Sequence, residues 1–459
     1  MEPTPAPASP FALANVRRFV VFRVCFNARF YYPVFTILFL DFGLTIDQFA
    51  VLNAVWAATI VLLEVPSGAL ADVVGRRNLL VAAGVLMVGE MLLLCFAPVG
   101  ASGLLFWLFA ANRVLSGAAE AAASGADEAL AYDTLRHHGM EGEWSRVLER
   151  QMRLQSAANL VVMSVGAMLY DPAAVGWIAG LLGWEAAPGQ GLTLRIPLFL
   201  TLAMAVATLS AALGMGERRD DPAPGGSALR LAAEAFRKTF SAGAWILRTP
   251  SASVLIACGL VFDHVARVLI TLNSQYYRLI RLPEATFGLI SSGLALLGLF
   301  LPKIARGLAA SRRPGTNLLV VAALLMTGML VMGRFVPWVG ILAPVCIFSV
   351  LLLNAYFVSH YLNPLTDSSR RATVLSFKGL SYNLGYGGLG ILYSLLLAGT
   401  RGRLSAHSEL AGPALEDEVF RQSVQWFPAY FLVAFAVLLV WARWRLRAEG
   451  PAGGGGGRF

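Results

Sequence analysis

The sequence predicts an all-α membrane protein with twelve transmembrane helices in two six-helix halves, and three observations carry that expectation. Hydrophobic residues make up 57% of the 459, charged residues only 14%, and the mean hydropathy is +0.66. A protein in water cannot hide that much apolar surface. A spanning helix needs about 20 mostly apolar residues, so the chain has room for about a dozen. The apolar stretches are long and unbroken rather than alternating, which selects helices over a barrel, the two structures that satisfy their backbone groups in lipid. The net charge of +9 sits in loops on one side instead of forming a patch, so it points to membrane topology and away from nucleic acid.

The spans fall at 19–41, 46–71, 78–98, 103–132, 146–170, 193–214, 251–277, 285–306, 316–335, 338–362, 372–398 and 425–445. Residues 1–18 form a Pro-rich polar tail without a signal-peptide cleavage pattern, so the first span is expected to stay as an anchor. Arg17, Arg18, Arg76, Arg77, Arg136, Arg146, Arg150, Arg218, Arg219, Arg312, Arg313, Arg370, Arg371, Arg443, Arg445 and Arg447 all land in even loops or termini. Fewer arginines occupy the odd loops: Arg195, Arg278, Arg281, Arg334, Arg401, Arg403 and Arg421. The positive-inside rule therefore puts both termini in the cytoplasm. Residues 215–250 separate an N-terminal half (19–214) from a C-terminal half (251–447). They open as a polar linker and continue as an amphipathic helix, with Leu229, Ala232, Phe236, Phe240 and Leu247 near one face, expected to lie on the cytoplasmic leaflet. The loop 399–424, with Glu409, Glu416, Asp417 and Glu418, reads as a surface loop without chemistry, and 448–459 as a flexible Gly-rich tail. Cys25, Cys95, Cys258 and Cys346 lie far apart inside apolar runs and read as small packing residues. No metal-ligand, nucleotide-binding or nucleophile–base pattern is present, so no metal, cofactor or enzymatic chemistry is expected.

Between the second and third spans lies Gly68-Ala69-Leu70-Ala71-Asp72-Val73-Val74-Gly75-Arg76-Arg77-Asn78-Leu79-Leu80. It resembles the loop that major facilitator transporters carry at this place, Gly-x-Leu-Ala/Gly-Asp-basic-x-Gly-Arg-basic. The match holds at Gly68, Leu70, Ala71, Asp72, Gly75, Arg76, Arg77 and Leu80, and departs at Val73, where a basic residue is usual. The strings Glu64-Val65-Pro66-Ser67-Gly68 in span 2, SGADEALAYD in span 4 and RATVLS in span 11 resemble bacterial permeases of that family. A second basic hairpin, Lys303 to Arg313 after span 8, echoes the first, as two parallel repeats would require. The resemblance implies a monomeric secondary transporter in the bacterial inner membrane, moving a small-molecule solute by rocking two halves about a central site, with proton coupling and export as the expected mode. It also implies that Asp133 pairs with the Arg76 region to latch an inner gate. The Gly-Pro-x-x-Gly-Gly stretch of many drug/proton antiporters is missing from span 5, which reads Ser164 to Tyr170.

Charges inside spans are costly and face a cavity or a partner. Arg113, Glu120 and Asp127 recur every seven residues, with Gly117 and Ser124 between, and so form one stripe along a helix. Glu120 is the expected proton-coupling residue, with Asp127 as its relay or structural partner. Asn27 and Arg29 lie near mid-membrane in span 1. An arginine there can grip an anionic group in two-pronged fashion or pair with a carboxylate on another span. In span 7, Asp263 and Arg267 are four apart and fit an intrahelical ion pair, while His264 fits either a titrating site or a hydrogen-bonded packing residue. Asn354 and Tyr386 are further candidates for the solute pathway, and the run from Gly385 to Gly390 allows close helix packing. Import of an organic anion through Arg29 and Arg113, or lipid or lysolipid flipping through lateral openings, are the alternative activities. The topology predicts that reporter fusions after residues 100, 230 and 410 read outside, inside and outside. An inside signal at 410 would break the twelve-span arrangement.

Overall fold

The computed structural model describes residues 9–183, 188–217, 228–366 and 368–447, and these are helical throughout, without a strand among them. The two tails and the linker segment 218–227 lie outside the described residues, as do the side chains of Leu229, Ala232, Asp72, Arg370 and Arg371. In chain order the N-terminal half contains α1 (Ala14–Asn27), α2 (Phe35–Phe42), α3 (Ile46–Val74), α4 (Arg76–Cys95), α5 (Gly103–Ala123), α6 (Ala126–His137), α7 (Trp144–Tyr170), α8 (Pro172–Leu181), α9 (Gln190–Thr193) and α10 (Ile196–Gly214). The connecting helix α11 (Ala228–Arg248) leads to α12 (Pro250–Thr271), α13 (Asn273–Leu279), α14 (Thr286–Ser311), α15 (Pro314–Met332), α16 (Leu342–Leu362), α17 (Ser368–His407), α18 (Gly412–Val424) and α19 (Phe427–Arg447).

Nine helical segments are long and apolar enough to cross a membrane among the described residues. The remaining crossings expected from the sequence are the broken pairs α1–α2 and α5–α6 and the 40-residue α17. These fall short because they are interrupted or carry polar groups. The first span breaks over Ala28–Tyr31, where Pro33 follows and contributes no backbone donor. The fourth breaks at Ser124 and Gly125, the latter at φ 76, a left-handed conformation suited to glycine. The stripe expected along span 4 is therefore divided between two helices. Large apolar side chains such as Leu62, Trp107, Leu299 and Val433 are exposed on the periphery, where lipid replaces water as the solvent.

The two halves meet along α3 with α17, α7 with α14, and α2 with α13. Glycines permit the first two approaches. A Cβ on Gly387 would stand 3.2 Å from that of Ala57, and one on Gly390 would stand 3.3 Å from the Ala50 carbonyl. On α14, a Cβ on Gly288 would collide with the Met163 carbonyl of α7. Beside it, Ser292 Oγ donates to the Leu160 carbonyl (3.3 Å) and lies 3.4 Å from Ser164 Oγ.

The turn after α3 is tighter than the hairpin expected from sequence. Gly75 alone joins α3 to α4, at φ 102, which a side chain would strain. Glu217, just past α10, accepts from the amides of Arg76 (3.0 Å) and Arg77 (3.1 Å) and so caps the positive end of α4. Arg77 also donates to the carbonyls of Met215 (2.7 Å) and Leu213 (3.0 Å). Arg76 pairs with Asp133 of α6. The Arg76–Asp133 pair expected from the resemblance is formed, and it lies inside the N-terminal half. Gly68 sits in the uninterrupted α3 with open space where a Cβ would be.

Two segments are more built than the sequence suggests. α11 turns Thr239 and Ile246 inward against the bundle, and Gly243 lies against Phe377 of α17, while Phe240 and Leu247 stay exposed. It packs on α3, α12 and α17 and so touches both halves. The region 399–424 is not a plain surface loop: α17 extends into it, α18 occupies it, and several of its charges are engaged. Arg401 joins Glu416 (2.8 Å) and Asp47 of α3 (2.6 Å), and Gln275 donates to Asp417 (2.9 Å). The α7–α14 contact predicts that Gly288→Leu pushes the halves apart on the side away from the termini. In a cysteine-free background, a Cys at Ser164 should then react faster with a membrane-impermeant maleimide; an unchanged rate would show that this seam does not hold the halves together.

Candidate functional site

A cavity of about 470 Å³ lies between the halves, on the part of the seam nearer the termini. The N-terminal half supplies most of its wall: Arg23, Phe26 and Asn27 from α1, Trp56, Ile60 and Glu64 from α3, and Glu120 with Gly125 and Glu128 from the broken fourth span. Asn383 of α17 faces it from the other half. The breaks shape this wall. Ending α5 at Ala123 turns Glu120 into the cavity, where it is exposed, and starts α6 in a new direction that carries Asp127 out of it. Gly117 lets α5 approach α3, for its Cβ would stand 2.9 Å from that of Thr59.

The sequence-selected residues separate into distinct environments. Asn27 and Glu120 line the cavity. Among the described residues, the Glu120 and Glu64 carboxylates make neither an ion pair nor a hydrogen bond. Asp127 is 1% exposed and pairs with Arg23 at 3.0 Å, and the same guanidinium reaches Glu128 at 3.0 Å. Arg29 is buried and paired with Glu90 of α4, which is fully buried. Arg113 is likewise buried. It donates to Asn112 Oδ1 (2.9 and 3.0 Å) and lies over the rings of Phe35 and Phe39. Neither arginine stands on the cavity wall, so the two are not arranged to grip an anionic solute there. Of the alternatives for Arg29, the ion pair is the one formed.

The C-terminal half holds a second polar group. Arg267 pairs with Asp263 at 2.6 Å, donates to Asn383 Oδ1 at 2.8 Å and lies 5.4 Å from the centre of the Tyr386 ring. Tyr386 in turn stands edge-on to Trp56. This chain links the intrahelical pair to the cavity through Asn383. His264 is engaged at both nitrogens, with the Leu260 carbonyl (2.6 Å) and the Tyr430 hydroxyl (2.9 Å), and Asn354 donates to the Gly259 carbonyl (2.9 Å). Both hold helices together.

On the side away from the termini the halves are bolted. Arg278 of α13 donates to both carboxylate oxygens of Asp41 (2.7 Å each) and to Glu284. Tyr170 and Gln190 also reach Asp41, and Asp171 accepts from the Ala285 amide (3.1 Å). Ser274 Oγ accepts from the amides of Thr36 (3.0 Å) and Ile37 (3.2 Å). Burial holds the Glu284 carboxyl above the usual carboxylate range, against the opposing pull of Arg278. Among the described residues, both ion pairs that join the halves, Arg278–Asp41 and Arg401–Asp47, lie on this side. The cavity is thus sealed away from the termini.

Sequence reading missed Glu90, Asp41, Glu217 and the cavity role of Glu64 and Trp56. Glu90 had a legible signal, a lone carboxylate in the apolar span 3. The others depend on contacts across helices distant in sequence.

The Major Facilitator Superfamily model matches residues 19–388. No curated protein matches by sequence. Solved structures share the fold at low identity. The nucleoside transporter NupG (D323A mutant) aligns with TM-score 0.69 at 11% identity, covering 93% of this chain and 98% of that one. A bacterial homologue of the human lysosomal transporter Spinster, inward-facing and unoccupied, aligns with TM-score 0.65 at 15% identity over 96% and 98%. A D-xylose–proton symporter aligns with TM-score 0.56 at 13% identity over 92% and 96%. The chain belongs to the Major Facilitator Superfamily and is an integral, multi-pass membrane transporter of small-molecule solutes, not an enzyme.

Proposed function

We propose that this transporter is a proton-coupled exporter in which Glu120 carries the coupling proton. The observation behind this reading is the Glu120 carboxylate, unpartnered on the wall of a cavity between two halves that are bolted on the opposite side. Every other carboxylate near it except Glu64 is engaged: Asp127 and Glu128 with Arg23, and Glu90 with Arg29. A free carboxylate can take a proton when exposed to one side and release it when exposed to the other, because hydration and opposing charge change with the cavity's access. Alternating access requires the Arg278–Asp41 and Arg401–Asp47 pairs to break and the termini side to close. Glu120 cannot hold a proton and pair as a carboxylate with a charged group of the solute at once. Alternate occupancy makes the cycle an exchange, so entering protons drive the solute outward.

In this reading the chain works as a monomer among lipids of a bacterial inner membrane, with both termini and the Asp72–Arg77 turn in the cytoplasm. Gly75, with its positive φ, keeps the α3–α4 turn tight, and Glu217 and Asp133 fasten it to α10 and α6. The N-terminal half can then move as one body. A side chain at Gly75 costs about 1–3 kcal/mol in backbone strain alone and loosens these contacts. Gly75→Leu should insert and purify yet lose transport; normal transport by a well-expressed variant would remove the turn from the mechanism.

Glu120→Gln keeps the shape and removes the titration. In proteoliposomes it should abolish accumulation driven by a pH gradient while sparing exchange of solute for solute. Asp127→Asn should lower yield or stability more than coupling, because it removes the buried partner of Arg23 and leaves that guanidinium with Glu128 alone. If both variants still concentrate solute with unchanged pH dependence, the proton travels elsewhere.

A further inference from the structure

The cavity wall carries three carboxylates, Glu64, Glu120 and Glu128, against one guanidinium, that of Arg23. Arg23 is already committed, bridging Glu128 and the buried Asp127 at 3.0 Å each. This leaves Glu64 and Glu120 as negative groups facing the space from α3 and α5, with neither an ion pair nor a hydrogen bond among the described residues; Arg23 and Arg29 act on Glu120 only across a distance. The deeper arginines are each engaged with other groups. Arg29 is neutralised by Glu90 of α4, and Arg113 is turned into Asn112 and two phenylalanine rings. On α17, Asn383 brings only an amide to the wall, and Lys378 lies over the Tyr382 ring.

We propose that the cavity selects an organic cation, a solute with a protonated amine or quaternary onium centre beside an aromatic or apolar body. This rests on the transport reading above and names its substrate class. An anion entering here would meet two unpaired carboxylates in a partly desolvated space, where like charges cost most. A cation meets them as counter-ions. Trp56 adds a ring on the wall, which attracts a positive centre through its face, and Ile60 adds apolar surface for the body of the solute. The volume of about 470 Å³ suits a molecule of drug size. Asn27 and Asn383 supply neutral hydrogen-bonding groups on facing halves, which orient the solute without adding charge. The exchange balances: the cation occupies the carboxylate as the proton leaves it, and a returning proton displaces the cation.

The test is saturable binding of tetraphenylphosphonium, and of its isosteric anion tetraphenylborate, to the purified full chain in nanodiscs. The cation should bind and the anion should not. Glu120→Gln should weaken cation binding about tenfold or more, the loss of one desolvated charge pair, and Glu64→Gln should weaken it as well. Both variants remove an unpartnered charge and keep side-chain shape, and their elution on size exclusion reports folding. Acidification should weaken binding to the wild type and have less effect on Glu120→Gln. Saturable binding of the anion, cation binding unchanged in both Gln variants, or no saturable cation binding would each overturn the proposal. Its failure is separable from that of the coupling reading. Glu120-dependent cation binding in a protein that cannot use a pH gradient supports the substrate class and removes the coupling. Accumulation of anions on a pH gradient does the reverse.

Discussion

A charge inside a bilayer must find a counter-charge or face a water-filled space, and this constraint arranges nearly every polar residue of the protein. Arg29 and Glu90 satisfy it by meeting each other where the first span breaks. Asp127 and Arg23 do so at the start of α6, and Asp263 and Arg267 within one turn of α12. Glu120 and Glu64 are satisfied differently, by facing the cavity. The cavity is thus defined as much by the pairing of its neighbours as by its own wall. Once Arg29 and Arg113 are spoken for, what remains on the wall is acidic and aromatic.

Helix breaks make this arrangement possible. A continuous fourth span would carry Asp127 on the same face as Glu120. The left-handed Gly125 turns the chain so that Glu120 faces water and Asp127 faces Arg23. The break in the first span similarly directs Arg29 away from the cavity while Asn27 stays on it. The three crossings that are broken or carry polar groups, the first, the fourth and the eleventh, all reach the cavity wall, and their breaks and polar residues are what the site is built from.

The same logic divides the two ends of the seam. Away from the termini, the halves are joined by ion pairs and by glycines that permit backbone contact, a combination that is strong when closed and can be rehydrated when opened. Towards the termini, the basic turn is fastened within its own half by Glu217 and Asp133, and α11 lies across α3 and α17. A half stiffened internally and joined to its partner through few polar contacts is suited to rigid-body rocking.

The amino-acid sequence by itself determined the class, the approximate spans and the family. Apolar runs about 20 residues long have no other stable solution in lipid, and the Gly68–Leu80 pattern is local in sequence. It also made the Asp263–Arg267 pair legible, since four residues along a helix bring two side chains together. It marked Glu120 as costly enough to need a reason. Only the tertiary structure decided which charges are used up and which are free. Whether Arg29 meets a solute or Glu90, whether Glu120 and Asp127 share a face, and whether Asp41 bolts onto Arg278 all depend on helices far apart in the chain. Such contacts follow from how helices pack and where they break, and neither hydropathy nor residue spacing encodes them at a distance.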